Sequence, residues 1–436
     1  MKSAASTPAQ TAPGLPCALP NTPLAEARAG IDKCVHCGFC LQSCPTYLTL
    51  EDENDSPRGR ILLMRSVLEG TLAPDDEAVE THLDRCLGCR ACETVCPSGV
   101  PYGYLLESAR ATLLEHRKLP FIARAILGVF ARPRVLSAVM TLGRAARATG
   151  IPALAGRLGG RLGSAMAMLA STRVPVKRRA YVAKGSGERG TVALLDGCVM
   201  EGLYAETNRA TERTLTLNDY AIVSAPGQRC CGALHAHAGD LEGARELARA
   251  NVAAFEKTGA TFVCSNAAGC GAIMKDYGHL LADDPEWAER AAHVAERVRD
   301  ATELLAAAGP KQGAPLPARA TYDAPCHLIH VQRVAVAPLE VLHAIPQLEV
   351  TPLEGAEHCC GAAGIYNLVE PETSATVLAP KLRNIAATNA TLVVTGNPGC
   401  LMQIGAGMRR ASMRAKTVHP VDLLDASYSA NGGKAN

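Results

Sequence analysis

Apolar positions in the second half of the chain come in short runs, Thr191–Leu195, Ala221–Ser224 and Leu392–Thr395, each ending near Gly, Pro or Cys. Runs of this length with such borders predict buried strands. Between them the pattern stretches to a helical period, as in Leu241–Lys257 and Pro380–Thr388. Strand and helix in alternation predict an α/β layer architecture. Nearer the N-terminus, the apolar positions of Phe121–Phe130 and Val135–Leu142 fall at roughly helical spacing, with Arg124, Arg132, Arg134 and Arg144 interspersed. A further helical stretch is expected around Arg60–Leu68. No apolar run reaches the ~18 residues that a membrane-spanning helix needs.

Cysteine content divides the 436 residues into zones. Residues 22–115 hold eight cysteines and many carboxylates, whereas 116–187 hold no Asp, Glu or Cys but 14 Lys and Arg. The remainder holds nine cysteines and repeats itself: Cys198, Cys230-Cys231-Gly232 and Cys270 recur as Cys326, Cys359-Cys360-Gly361 and Cys400, at offsets of 128, 129 and 130 residues. The expected organisation is a multidomain chain: a flexible tail (1–21), a helical ferredoxin-like domain with two [4Fe–4S] clusters (22–115), a basic helical linker (116–188) and two tandem α/β repeats (189–312 and 318–430). The tail, Met1 to Pro20, lacks the apolar core of a secretory signal. With 18 cysteines in a long chain, the reading is a cytoplasmic protein whose thiols serve metal or redox chemistry. A net charge of +2 and 4% aromatic residues give no reason to expect a nucleic-acid partner.

Cys34-x2-Cys37-x2-Cys40-x3-Cys44-Pro45 and Cys86-x2-Cys89-x2-Cys92-x3-Cys96-Pro97 match the spacing of the bacterial two-cluster run. Three thiolates on a tight loop reach three corners of one cubane, and the fourth corner is supplied from a distance. Cys34, Cys37 and Cys40 are therefore expected to act with Cys96, and Cys86, Cys89 and Cys92 with Cys44. Zinc would need only four thiolates per ion; it does not call for a third and fourth cysteine followed by proline, twice. Two neighbouring clusters suit a relay of single electrons.

In each repeat, four cysteines are further candidate ligands: Cys198, Cys230, Cys231 and Cys270, then Cys326, Cys359, Cys360 and Cys400. Cys198 and Cys326 follow strand ends, and Cys270 and Cys400 begin helices after strands. Ligands collect at the carboxyl ends of strands in open α/β sheets, so these thiols can converge. The alternative is that they are reduced and purely structural. Cys264 has no counterpart near Val394 and is read as a non-ligand, and Cys17 as incidental. His235, His237, His327 and His358 flank the motifs and are assigned solvent or hydrogen-bonding roles. The basic segment suits an anionic membrane surface, or packing on a partner or on the protein's own body with snorkelling arginines. The glycines between Gly156 and Gly163 follow no strand and make a poor phosphate loop. No P-loop and no dinucleotide fingerprint is present, so neither NAD nor flavin is expected on this chain.

The segments Cys34-Val-His-Cys-Gly-Phe-Cys-Leu-Gln-Ser-Cys-Pro-Thr-Tyr47, Ser56-Pro-Arg-Gly-Arg-Ile61 and His82-Leu-Asp-Arg-Cys-Leu-Gly-Cys-Arg-Ala-Cys-Glu-Thr-Val-Cys-Pro-Ser-Gly-Val100 resemble the iron–sulfur subunit of bacterial glycolate oxidase. Ala268-Gly-Cys-Gly-Ala272 followed by Lys275-Asp-Tyr-Gly278, within the repeats, adds to the likeness, which spans about residues 22–425. The resemblance implies that glycolate is oxidised to glyoxylate on two separate flavin-type subunits, not on this isolated chain. Electrons would then pass through these clusters to a quinone or another acceptor, with peripheral contact on the inner face of the cytoplasmic membrane. Subunits serving other 2-hydroxy acids or glycerol-3-phosphate, and the catalytic heterodisulfide reductases, share the architecture. In the fullest repeats of these relatives the last cysteine belongs to a C-x2-C pair; here Ala267 and Asn397 stand three residues before Cys270 and Cys400. That departure sets this chain apart from the heterodisulfide reductases at their unusual cluster.

Overall fold

The computed structural model describes residues 17–172 and 185–432. Most of the expected tail and the basic stretch 173–184 therefore lie outside the described residues. Residues 17–21, expected to belong to that tail, lie on the first domain: Cys17 and Leu19 pack against its core, and Ala18 N–H donates to the Leu68 carbonyl at 2.8 Å.

The first domain is helical, and its centre is the pair Pro57–Leu68 and Tyr102–His116. Ser56 starts the first helix in extended conformation; its hydroxyl accepts from the Gly59 N–H, and Pro57 takes the first helical position. Ile61, Met64, Val67 and Leu68 then meet Leu105, Leu106, Ala109 and Leu113 in one core, each large side chain contributing about 1.5–3 kcal/mol by leaving water. Gly59 is required by closeness rather than by its φ, since a Cβ there would lie 2.1 Å from the Glu53 carbonyl oxygen.

Each repeat is a four-stranded parallel sheet. The first contains β1 (Thr191–Leu194), β2 (Ala221–Val223), β3 (Phe262–Ser265) and β4 (Val298–Asp300), in the order β2-β1-β3-β4. The second contains β5 (Ala318–Tyr322), β6 (Leu348–Thr351), β7 (Leu392–Val394) and β8 (Lys416–Val418), in the matching order β6-β5-β7-β8. In register, Val192 sits between Ile222 and Phe262, and Ala320 between Val350 and Leu392. Helices fill the connections, as parallel strands demand. The two sheets share one core, in which Val192, Leu194 and Cys264 join Ala320, Tyr322 and Val394. The last helix, Pro420–Ala430, crosses back to the first repeat: Asp425 takes both arms of Arg213, and the Tyr428 hydroxyl accepts from Asn218 Nδ2 at 3.0 Å.

The strands begin where the apolar runs placed them. The helix expected from Pro380 instead runs from Pro371 to Ala387 with Pro380 inside it. Pro380 gives up one backbone bond, but a buried face of Ser374, Val377, Leu378, Lys381 and Ile385 runs past it, and packing outweighs the lost bond. The described part of the basic segment holds four helices, Phe121–Phe130, Pro133–Ala148, Ile151–Ala155 and Gly160–Ser171.

Helix propensity alone makes Gly59→Ala stabilising by up to about 1 kcal/mol. The contact with Glu53 reverses the sign, and the substitution is expected to cost about 1–3 kcal/mol. A rise in the thermal midpoint of the alanine variant would contradict this packing.

Candidate functional site

The first cysteine run lies at the surface. Cys34, Cys37, Cys40 and Cys96 line one small cavity together with Arg58 and Tyr102, and Cys92 of the second run reaches its wall. Cys37 is exposed, and Val35 and Phe39 beside it are 68% and 66% exposed. Gly38 has φ +86°, which lets the loop double back beneath Arg58, whose Nη1 donates to the His36 carbonyl at 3.1 Å. Burial pushes the Cys40 thiol up to about 11.

The second run is inside the protein. Cys86, Cys89 and Cys92 are buried, and burial holds Cys89 and Cys92 well above the ordinary thiol range. Cys44 is close enough to act electrostatically on both. Beside this group lies Arg60, fully buried within the Ser56–Ile61 segment. Its Nε donates to the His82 carbonyl at 2.6 Å, Nη1 to Thr46 Oγ1 at 3.1 Å and towards Cys44 Sγ at 4.0 Å, and Nη2 to Asp55 at 3.0 Å. Burial disfavours the guanidinium charge, but Cys86, Tyr102, Cys44 and Asp55 more than offset it, and its pKa is raised.

The loop carrying the second run is wedged between the two repeats. His327 bonds the Gly88 carbonyl at 3.0 Å, Thr94 Oγ1 meets His330 Nδ1 at 3.0 Å, and Arg110 bridges the Cys86 and His237 carbonyls, each at 2.7 Å. Leu87, Cys89 and Ala91 pack against Cys359, Tyr366 and Cys326 of the second repeat.

All eight candidate cysteines of the repeats line one cavity of about 470 Å³ at the carboxyl ends of the central strands. Cys198 and Cys230 have Sγ atoms 3.6 Å apart, and Cys360 and Cys400 have theirs 3.0 Å apart. In each repeat one thiol is favoured as thiolate: Cys230 by hydrogen bonds from Cys198 and Cys231, Cys360 by those from Cys359 and Cys400. Cys264 points elsewhere, fully buried in the core shared by the sheets. Asn397, which stands where the fuller repeats have a cysteine, directs Nδ2 at Cys400 Sγ (3.6 Å), while its Oδ1 accepts from the Gly269 N–H (3.2 Å).

Two parts of this site were named in the sequence but not placed at the cavity by it. His237 and His327 form part of the cavity wall, their rings 5.2 Å apart; His237 bonds the half-buried Glu107 at 2.9 Å, and burial lowers the His327 pKa to about 4. The basic helices, expected to link domains, also roof the cavity, with Ile126, Phe130, Val139, Met140 and Leu169 in its lining.

Residues 30–100 match the 4Fe-4S dicluster domain family, and residues 192–275 and 320–405 match the cysteine-rich domain family. A Bacillus subtilis protein called a probable glycolate oxidase iron-sulfur subunit is 39% identical over 421 residues, covering 92% of this chain and 94% of its own length. The glycolate oxidase iron-sulfur subunit of Escherichia coli is 33% identical, covering 93% and 96%. The chain belongs to the glycolate oxidase iron–sulfur subunit family. The lactate utilization protein A of an Exiguobacterium strain is 28% identical over 54% of the chain, covering 96% of its own length. A crystal structure of a hypothetical Helicobacter pylori protein shares the fold, with a TM-score of 0.53 at 8% identity over 92% of this chain and 72% of that one.

For an iron–sulfur subunit the donor chemistry fits. All 18 cysteines are unbridged, and those of the second run are buried where a free thiolate would be costly. Iron takes the thiolate form and supplies the positive charge that burial denies.

Arg60→Met would leave the buried Asp55 with Arg85, 3.3 Å away, as its remaining guanidinium partner and would strand the Thr46 hydroxyl and the His82 carbonyl, and is expected to cost about 1–3 kcal/mol. Arg60→Lys should recover only part of this, since one ammonium cannot reproduce the fork that reaches Thr46, Asp55 and the His82 carbonyl. Thermal midpoints of the iron-loaded variants check the order wild type, Lys, Met.

Proposed function

We propose that this chain is the electron-transfer subunit of a glycolate-oxidising complex, with a helical ferredoxin-like domain receiving electrons and the repeats delivering them. The observation that carries the reading is a succession of neighbouring thiol groups, from exposed Cys37, which shares a cavity with Cys92 of the buried second run, to Cys326 and Cys359 packed beside Cys89. Iron–sulfur clusters at such positions pass one electron at a time between donor and acceptor.

The residues divide the work by position. Cys34, Cys37, Cys40 and Cys96 would hold the outer cluster, and Cys44, Cys86, Cys89 and Cys92 the inner one. Apolar Val35 and Phe39 beside the outer group suit the flavin-bearing partners on which glycolate becomes glyoxylate. The repeat cysteines would hold further clusters at the cavity, whose apolar lining suits a quinone acceptor. The basic roof helices would bring that cavity to the inner face of the cytoplasmic membrane; no single helix among the described residues is long and apolar enough to span it. A second reading, reduction of a disulfide directly at the repeat cysteines, draws on the same convergence and predicts thiol–disulfide turnover by the isolated chain.

Anaerobically purified protein is expected to contain about eight irons from the two runs, and more if the repeats are loaded. In electron paramagnetic resonance of the reduced protein, Cys44→Ser and Cys92→Ser should remove the same signal, and Cys37→Ser and Cys96→Ser the other. Zinc in place of iron would overturn the electron-transfer role, and loss of signals by run rather than across runs would overturn the crossed ligand sets.

A further inference from the structure

We infer that the groove between the helical roof and the second repeat binds the phosphate headgroups of anionic phospholipids. This rests on the membrane contact proposed above and gives it a specific lipid and specific residues.

The groove holds about 950 Å³ and is open on one side. Arg157, Arg409 and Arg410 line it with Leu154, Leu158 and Met413. Arg410 is held by weak contacts with the Gly156 carbonyl (3.5 Å) and Ser164 Oγ (3.3 Å), and among the described residues none of the three arginines has a carboxylate partner. Guanidinium groups in a fixed fork match phosphate oxygens.

The surroundings point the same way. Leu154, Leu158 and Leu162 are 70%, 59% and 65% exposed, and the neighbouring helix Pro133–Ala148 has no buried residue along its 16 positions. The helices Phe121–Phe130 and Pro133–Ala148 meet at 105°, which suits lying along a surface. Charge is partitioned over the chain: residues 116–187 carry 14 Lys and Arg and no carboxylate, whereas the rest carries 30 Lys and Arg against 42 Asp and Glu. An anionic bilayer attracts the first region and repels the second, and exposed leucines beside arginines fit the boundary between headgroup and acyl chain. A water-soluble anion would use the arginines but leave the leucines unexplained.

The test is sedimentation of the iron-loaded full chain with vesicles of phosphatidylcholine alone or with 30% phosphatidylglycerol. Binding should favour the anionic vesicles by at least tenfold and fall with added salt. Each arginine near an anionic surface is worth about a fivefold change in partitioning, so replacing Arg157, Arg409 and Arg410 together by Gln should weaken anionic binding roughly a hundredfold. Iron content and the resonance spectrum should not change. Leu154→Ser with Leu158→Ser should weaken binding to both vesicle types. Equal binding of the wild type to the two vesicles overturns the headgroup site and leaves membrane contact standing. No binding to either vesicle overturns both. The salt series on the wild type separates these outcomes even if the triple variant misfolds.

Discussion

The site depends on one geometric constraint: in a parallel sheet every strand ends on the same edge. A cysteine placed just after a strand, or at the start of the helix that follows it, is carried to that edge whatever the rest of the loop does. Duplicating the sheet and packing the copies through one apolar core, with Val192 and Leu194 beside Ala320 and Tyr322, sets two such edges around a common cavity. Eight thiols meet there although they are spread over more than 200 residues of sequence (Cys198 to Cys400). The crossing of the last helix, fixed by Asp425 on Arg213, keeps the copies from parting.

The loop of the second cysteine run occupies the remaining side, and its backbone is the joint. Its carbonyls at Cys86 and Gly88 take Arg110 and His327, leaving Cys89 against Cys326 and Cys359. The two runs share a spacing but not an environment: one is exposed at Cys37, the other buried beneath two domains. Polarity along a chain of similar groups comes from such a difference, because burial and nearby charge set how readily each site accepts negative charge. Each group has an arginine beside it, part-exposed Arg58 at the outer and fully buried Arg60 at the inner, where Asp55 and the sulfurs compensate the charge.

Much of this was legible from sequence because it is local. Cysteine spacing picked out the two runs, the 128–130 residue offset gave the duplication, and the short apolar runs gave the strands that carry the repeat thiols. What was not legible is long-range. Pro380 looks like the start of a helix until the buried face on either side of it is known. A carboxylate-free segment reads as a surface helix, a linker or a helix packed on a partner or on the protein's own body, and nothing local says that Phe130 and Met140 close a cavity lined by Cys198 and Cys400. His237 and His327 lie 90 residues apart, and only the fold makes them neighbours.

Duplication has not kept the copies equivalent. The buried faces of the matching helices, Ala244, Leu247, Ala248, Asn251 and Phe255 against Ser374, Val377, Leu378, Lys381 and Ile385, align at an offset of 130 residues, so Lys381 stands where the first repeat has Asn251. Lys381 is buried, pairs with Asp323 and donates to the Gly355 and Ala356 carbonyls at 3.2 and 3.0 Å. It is among the groups that favour the Cys360 thiolate, although burial and Asp323 dominate its own titration. In the first repeat neutral groups stand near the pair instead: the Tyr277 hydroxyl donates to the Cys231 carbonyl at 2.8 Å and Asn251 Nδ2 to that of Cys230 at 3.0 Å. Stability does not require the ion pair, since a buried pair can be replaced by uncharged groups without loss and the neutral Asn251 fills the matching position. What Lys381 adds is positive charge beside the thiols of one repeat, and that is the repeat Cys89 touches. The asymmetry thus lies along the same line as the burial gradient, and together they give a pseudo-symmetric frame a direction.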